Sequence, residues 1–144
     1  NAYRRFQAGN HAPTLPTWGW DNRTTALRVP AGPPAAKRIE HRVAGADANP
    51  YLTLAVVLAG ILHGLEKKLK PPPAVIGNAW AQEHACELLP TLMNDAIERF
   101  SASESMQTYL SDEFQVIFTK TKRQELDEFQ RRVTDFEIES YLRG

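Results

Sequence analysis

Residues Lys37-Arg38-Ile39-Glu40-His41-Arg42-Val43, followed at once by Ala44-Gly45-Ala46-Asp47-Ala48-Asn49-Pro50-Tyr51, decide how the rest of the chain is read. As a β-strand with side chains alternating between faces, the first seven put Arg38, Glu40 and Arg42 on one face and Ile39, His41 and Val43 on the other. A carboxylate then stands between two guanidiniums. Two like charges about 5 Å apart repel by roughly 3 kcal/mol at an effective dielectric near 20, so such a wall calls for compensation. Glu40 supplies part of it, and a bound anion could supply the rest. The same alternation is also the ordinary pattern of an antiparallel strand with one wet face, and spacing alone does not separate the two readings.

Working outward, Thr24 to Val29 alternates as well, with Leu27 and Val29 on one face and Ala26 and Arg28 on the other, until Pro30 ends the run. Pro30-Ala31-Gly32-Pro33-Pro34 is turn chemistry joining the two stretches. Paired as a hairpin, they place Leu27, Val29, Ile39 and Val43 on a shared core face and bring Arg28 beside Arg38, Glu40 and Arg42. Before them, residues 1–22 are rich in Gly, Pro, Asn and aromatics and read as loop with short extended pieces.

On the other side, Asn49-Pro50 is a helix start: Asn caps free amides, and Pro at the first helical position sacrifices no hydrogen bond. The helix is predicted from Pro50 to about Leu69. Its apolar residues cover most of the circumference, which predicts burial on several sides, with His63 as a hydrogen-bonded core histidine rather than a ligand. The apolar run is too short to span a membrane. Lys67, Lys68 and Lys70 suit the helix C-terminus before Pro71-Pro72-Pro73 stops it. Val75 to Glu83 reads as loop, and a second helix is predicted from near Leu89 to Phe100. Ser101 with Glu104 forms a capping box for a short helix through Leu110. Ser111 caps the next, in which Leu126, Phe129, Val133 and Phe136 form one apolar stripe along a charged surface.

The chain has 144 residues, 42% apolar and 24% charged, ordinary for one soluble domain with a core. A single cysteine, Cys86, excludes an internal disulfide and, with no signal-like start, predicts a cytoplasmic setting. The absence of an initiator methionine suggests a fragment of a longer protein. Overall neutrality hides an asymmetry: residues 1–45 carry seven Lys or Arg against Asp21 and Glu40, and the remainder is correspondingly acidic. Six of those seven cations are arginines, whose rigid fork suits carboxylates and phosphates.

No Gly-rich phosphate loop, nucleophile elbow or paired-Cys metal spacing occurs, and the four histidines show no metal-helix spacing. One Glu among arginines suits phosphoryl transfer, although a lone carboxylate does not hold a magnesium ion without co-ligands from elsewhere. Five ordered blocks add a resemblance. Asn1-Ala2-Tyr3-Arg4-Arg5, Trp18-Gly19-Trp20-Asp21-Asn22-Arg23-Thr24, Ala26-Leu27-Arg28-Val29-Pro30, Arg38-Ile39-Glu40-His41-Arg42 and Ala46-Asp47-Ala48-Asn49-Pro50-Tyr51-Leu52 resemble the C-terminal catalytic half of the glutamine synthetase family. The second block and Arg42-Val43-Ala44-Gly45-Ala46-Asp47 look more like its γ-glutamylpolyamine (γ-glutamylputrescine) synthetase branch than the ammonia-using enzyme.

The resemblance implies an α+β fold: a β-hairpin from the family's catalytic sheet, in a loop-and-strand segment 1–45 carrying the site, followed by a helical segment 46–144. It implies that Glu40 binds a magnesium or manganese ion, that Arg5 and Arg42 bind substrate glutamate, and that Arg23, Arg28 and Arg38 hold ATP phosphates. Arg42 and Arg23 are the implied catalytic arginines. The implied reaction is ATP-dependent phosphorylation of a glutamate γ-carboxylate, then attack by an amine, or by ammonia, to form an amide. The implied assembly is a homo-oligomer of stacked rings, with no nucleic acid or membrane partner. The family's remaining metal-binding carboxylates, its metal-binding histidine and its small N-terminal domain have no counterpart here, so these residues alone are expected to be inactive. Pro71 to Trp80 stands where some bacterial members carry an adenylylation tyrosine, so that regulation is not expected.

Two other readings compete. A family member that kept the fold but lost catalysis would have no need to retain Glu40, Arg42 and Arg5 together. A nucleic-acid module would explain Arg4, Arg5, Arg23 and Arg28 interleaved with Tyr3, Phe6, Trp18 and Trp20, but not the acidic rear of the chain or Glu40 on the basic face.

Overall fold

Alternation with a period of two drives the pairing on which the first part of the molecule is built. In the computed structural model, which describes residues 2–7, 9–82 and 86–142, strand β1 (Trp18–Trp20) lies parallel to β2 (Leu27–Val29), and β2 lies antiparallel to β3 (Glu40–His41). Asn1 and Ala8 in the front loop, Glu83 at the end of the loop predicted from Val75, and His84 lie outside the described residues. Helix α1 (Pro50–Glu66) follows the sheet, and α2 (Met93–Ser101), α3 (Glu104–Leu110), α4 (Asp112–Gln130) and α5 (Asp135–Leu142) complete an α+β chain. Two compact units result, Asn1–Leu92 and Met93–Gly144.

In the first unit, β2 and β3 pair antiparallel as the hairpin predicts, in a register that sets Arg28 opposite Glu40 and Leu27 opposite His41. The strands are shorter than their patterns. Thr24 and Thr25 do not extend β2, because their hydroxyls serve a turn: Thr24 Oγ1 donates to Asn22 Oδ1 at 2.7 Å, and Thr25 Oγ1 donates to the Asn22 and Leu27 carbonyls at 3.0 and 2.9 Å. Local side-chain bonds of this kind compete with the ladder. The predicted core face is corrected too. Ile39 is 67% exposed and Leu27 is also exposed, since no described residue covers that side; the cross-strand side-chain contact is the Arg28–Glu40 ion pair on the other face.

The turn at Asp21–Ala26 lets a six-residue link join two parallel strands, which ordinarily needs a longer crossover. Thr25, fully buried, anchors it. Along the free edge of β1 runs the segment after the proline triplet: Val75 N donates to the Trp18 carbonyl at 2.9 Å, Trp18 Nε1 to the Pro72 carbonyl at 2.6 Å, and Asn22 Nδ2 to the Val75 and Gly77 carbonyls at 3.1 and 2.8 Å. Gly19 is required there. A Cβ at that position would stand 2.8 Å from the Val75 backbone oxygen, which is itself held. Gly19→Ala is therefore expected to destabilise the fold by about 1–3 kcal/mol, as overpacking against fixed backbone does; a thermal midpoint equal to that of the parent protein would contradict the strap.

Helix α1 starts as predicted. Asn49 Oδ1 accepts from the Tyr51 and Leu52 amides at 3.0 and 3.3 Å, with Pro50 in the first turn. Its predicted burial is not observed: Ala59 is its one buried residue, while Tyr51, Leu54, Leu58, Ile61 and Leu65 are exposed and His63 is half-buried. Apolar periodicity records what a helix has to offer a neighbour, and no described residue provides that neighbour. No helix among the described residues is long and apolar enough to cross a membrane.

The second unit is held by aromatic contacts. Phe118 on α4 meets Phe100 of α2 edge-on at 5.2 Å and stacks with Phe114 at 5.6 Å, beside buried Ile97. Buried Gln115 donates from Nε2 to the carbonyls of Phe100 and Ser103 at 2.7 and 2.9 Å, tying α4 to the link between α2 and α3. Helix α2 begins at Met93 rather than near Leu89. The cap of α3 is Ser103, whose Oγ accepts from the Met106 amide; Ser101 belongs to α2, where its hydroxyl donates back to Glu98. Ser111 caps α4 as predicted, accepting from the Phe114 amide at 3.3 Å. The apolar stripe does not continue, because α4 ends at Gln130: Val133 falls in the turn and Phe136 starts a new direction on α5.

Candidate functional site

The register that sets Arg28 opposite Glu40 builds the site from its centre. Glu40 Oε2 accepts from Arg28 Nη1 at 2.9 Å, and Oε1 accepts from Arg38 Nη2 at 3.1 Å. Arg28 Nη2 in turn donates to Asp21 Oδ1. The result is a chain of alternating sign, Asp21–Arg28–Glu40–Arg38. Arg28 lies deep in it, its side chain only 15% exposed, while that of Arg38 is 57% exposed. The hydrogen bond from Arg28 holds the Glu40 carboxyl below the usual carboxylate range, with Arg38 adding to it against a smaller cost of desolvation. Asp21, then Glu40, push the Arg28 guanidinium above its ordinary value.

Arg42 does not join this chain. Its backbone amide extends the ladder to the Ala26 carbonyl at 2.9 Å, and its guanidinium turns to main-chain oxygens: Nη1 to the carbonyls of Arg23 and Thr25, the latter at 3.1 Å, and Nη2 to that of His11 at 3.0 Å. Arg5 behaves likewise, donating to the carbonyls of Val43 at 2.8 Å and Arg42 at 3.0 Å, with its guanidinium 5.1 Å above the Phe6 ring. Desolvation and then the like charge of Arg28, with smaller contributions from Arg23 and Arg5, lower the Arg42 pKa from its ordinary value. Four arginines thus act on one another within this region. Such a concentration of cations is an electrostatic sink for a polyanion.

Arg23 stands at the rim with its residue exposed, next to an open cleft of about 590 Å³ lined by Trp20, Asp21, Asn22, Arg23 and residues 74–77. Of the residues singled out from sequence, the structure brings Arg28, Arg38 and Glu40 into direct contact, sets Arg42 and Arg5 on the adjoining backbone, and leaves Arg23 at the edge. Asp21 and the carbonyl of His11 escaped the sequence reading. Both residues have left-handed backbone, φ 46 and 54, a conformation that non-glycine residues rarely adopt. The Asp-Asn pair is a turn signal that could have flagged the first; nothing in the sequence flags a carbonyl.

Among the described residues no group of three His, Cys, Asp or Glu side chains converges, and both Glu40 oxygens already accept from guanidiniums. The donors present therefore do not by themselves fit a divalent cation, which requires several oxygen ligands.

The family pattern described as the glutamine synthetase catalytic domain matches residues 1–141. Gamma-glutamylputrescine synthetase PuuA of Escherichia coli K12 is 44% identical over 144 residues, the match covering 100% of this chain and 30% of that protein. Gamma-glutamylethanolamide synthetase GlnA4 of Streptomyces coelicolor is 41% identical over 138 residues, covering 96% of this chain and 29% of that protein. Among solved structures, a GmaS/ADP complex superposes with a TM-score of 0.79 at 30% identity, covering 95% of this chain and 31% of the other. The chain thus spans about 30% of the length of the curated relatives it matches.

Proposed function

From the premise that the chain belongs to the glutamine synthetase family, we propose that the intact protein is an ATP-dependent ligase joining the γ-carboxyl of glutamate to an amine, putrescine or a related polyamine. In this reading a glutamate γ-carboxylate oxygen attacks the terminal phosphorus of ATP and ADP departs. The amine nitrogen then attacks the acyl carbon, losing a proton, and phosphate leaves. The observation that carries it is the pair of guanidiniums, Arg28 and Arg38, that hold Glu40, in a chain 44% identical throughout to a synthetase named for γ-glutamylputrescine.

The arginines are assigned the work of neutralising charge as it develops on the transferred phosphoryl group. Arg23, Arg28 and Arg38 face the nucleotide phosphates, and Arg42 and Arg23 serve the transferred group. Arg5 and Arg42 meet the substrate glutamate, either directly or through the carbonyls they hold in place. Glu40 is one oxygen donor toward magnesium or manganese, and needs co-ligands from outside the described residues. Residues 1–45 carry the site and 46–144 the helical frame; the 144 residues alone do not turn over, and the intact protein works as a cytoplasmic homo-oligomer of stacked rings.

Similarity favours an amine over ammonia by a narrow margin. The two curated relatives described above, 44% and 41% identical, are named for amide products of an amine or an amino alcohol; type-1 glutamine synthetase 2 of Dictyostelium discoideum is 40% identical, and the glutamine synthetase of Thermus thermophilus is 31% identical. Phosphate release by the intact protein with glutamate and ATP should therefore be several-fold faster with putrescine than with ammonia at equal concentration. The reverse order would move the protein to the ammonia-using reading, and no release with either would remove the ligase reading.

A further inference from the structure

Arg28 is the more deeply placed of the two arginines on Glu40, its side chain 15% exposed against 57% for Arg38, and its donors are already directed. Nη1 lies on Glu40 at 2.9 Å and Nη2 on Asp21, while Nε is buried with no hydrogen-bond partner. Gly19, the register partner of Arg28 on β1, has no side chain to compete for the space. Asp21 follows two residues later in left-handed backbone, its amide tied to the Val29 carbonyl at 2.9 Å, so its carboxylate is fixed beside β2. Arg23, by contrast, is exposed, and Arg38 is largely exposed with Nη2 on Glu40 at 3.1 Å.

We infer that Asp21 is a positioning residue: it holds Arg28 against Glu40 and limits how closely that guanidinium, which the proposed function turns toward the nucleotide phosphates, can approach them. Two consequences separate this from a merely structural role. Without the Asp21 charge, Arg28 gains freedom to add a charge-assisted hydrogen bond to a polyphosphate, so polyphosphate binds more tightly. Glu40 at the same time loses a fixed neighbour, so turnover falls. Loss of a structural prop alone would weaken both.

The kinetic half rests on the ligase reading; the binding half does not. The test compares the intact protein with Asp21→Asn, Asp21→Ser and Asp21→Glu. Isothermal titration with inorganic tripolyphosphate should show about three- to tenfold tighter binding in Asp21→Asn and Asp21→Ser, the effect of about one added charge-assisted hydrogen bond. Asp21→Glu should return toward the parent value, and Arg28→Ala added to Asp21→Asn should cancel the gain. In amide synthesis, kcat should fall about tenfold while KM for ATP stays level or falls. Unchanged or weaker tripolyphosphate binding in folded Asp21→Asn and Asp21→Ser overturns the inference. Failure of the parent protein to release phosphate with any amine overturns the ligase reading instead, and the tripolyphosphate comparison still decides the role of Asp21.

Discussion

Glu40→Ala in the intact protein is expected to abolish measurable amide synthesis, a loss on the order of a thousandfold or more, as when a preorganised charged group is removed from a transition-state site. Two effects combine. The substitution removes the carboxylate assigned to metal binding, and it also releases Arg38 and one arm of Arg28, whose partners at 3.1 and 2.9 Å vanish together. Arg28 retains Asp21, so the β2–β3 pair should survive and the assembly should elute unchanged in size-exclusion chromatography. Phosphate release at near-normal rate would sink the assignment of Glu40. Glu40→Gln sharpens the result: it keeps a carbonyl for one arginine but no charge, and should be nearly as inactive if charge is what matters.

The second large effect is expected at Arg42. Its guanidinium gathers the carbonyls of His11 in the front loop and of Arg23 and Thr25 in the Asp21–Ala26 turn, while Arg5 returns to the carbonyls of Arg42 and Val43. A planar fork can serve several acceptors at once; the compact ammonium of lysine cannot. Arg42→Lys should therefore cost about 2–3 kcal/mol, lowering the thermal midpoint by several degrees, and should reduce turnover by at least about a hundredfold. A lysine variant with the parent midpoint would mean that these carbonyls are equally well served by water, and that Arg42 does not organise the loops.

How far the sequence revealed these arrangements differs from residue to residue, for physical reasons. That Arg28 shares a face with Glu40 was legible because a period of two fixes which side chains point the same way; the register that sets them opposite came from the structure. Asn49 as a cap was legible because capping is local. The third strand was not: Trp18–Trp20 is three residues long with glycine at its centre, and its pairing depends on Val75 arriving from far along the chain. The role of Asp21 depends on a left-handed turn that no periodicity encodes. The exposed face of α1 misled for a different reason. Its apolar residues measure how much surface the helix can bury, whereas burial requires a second surface, and the chain spans about 30% of the length of its relatives.

The strap along β1 also fixes an order of events during synthesis. Trp18 bonds to Pro72 and Asn22 to Val75 and Gly77 across 53 to 55 residues, whereas Arg28 meets Glu40 across only 12. Closing the longer loop carries a greater entropic cost and requires that the residues of α1 have already been synthesised. As the chain leaves the ribosome, the β2–β3 pair can therefore form while Trp18 still has an open edge, and the nascent sheet stays open on that side until the proline triplet emerges.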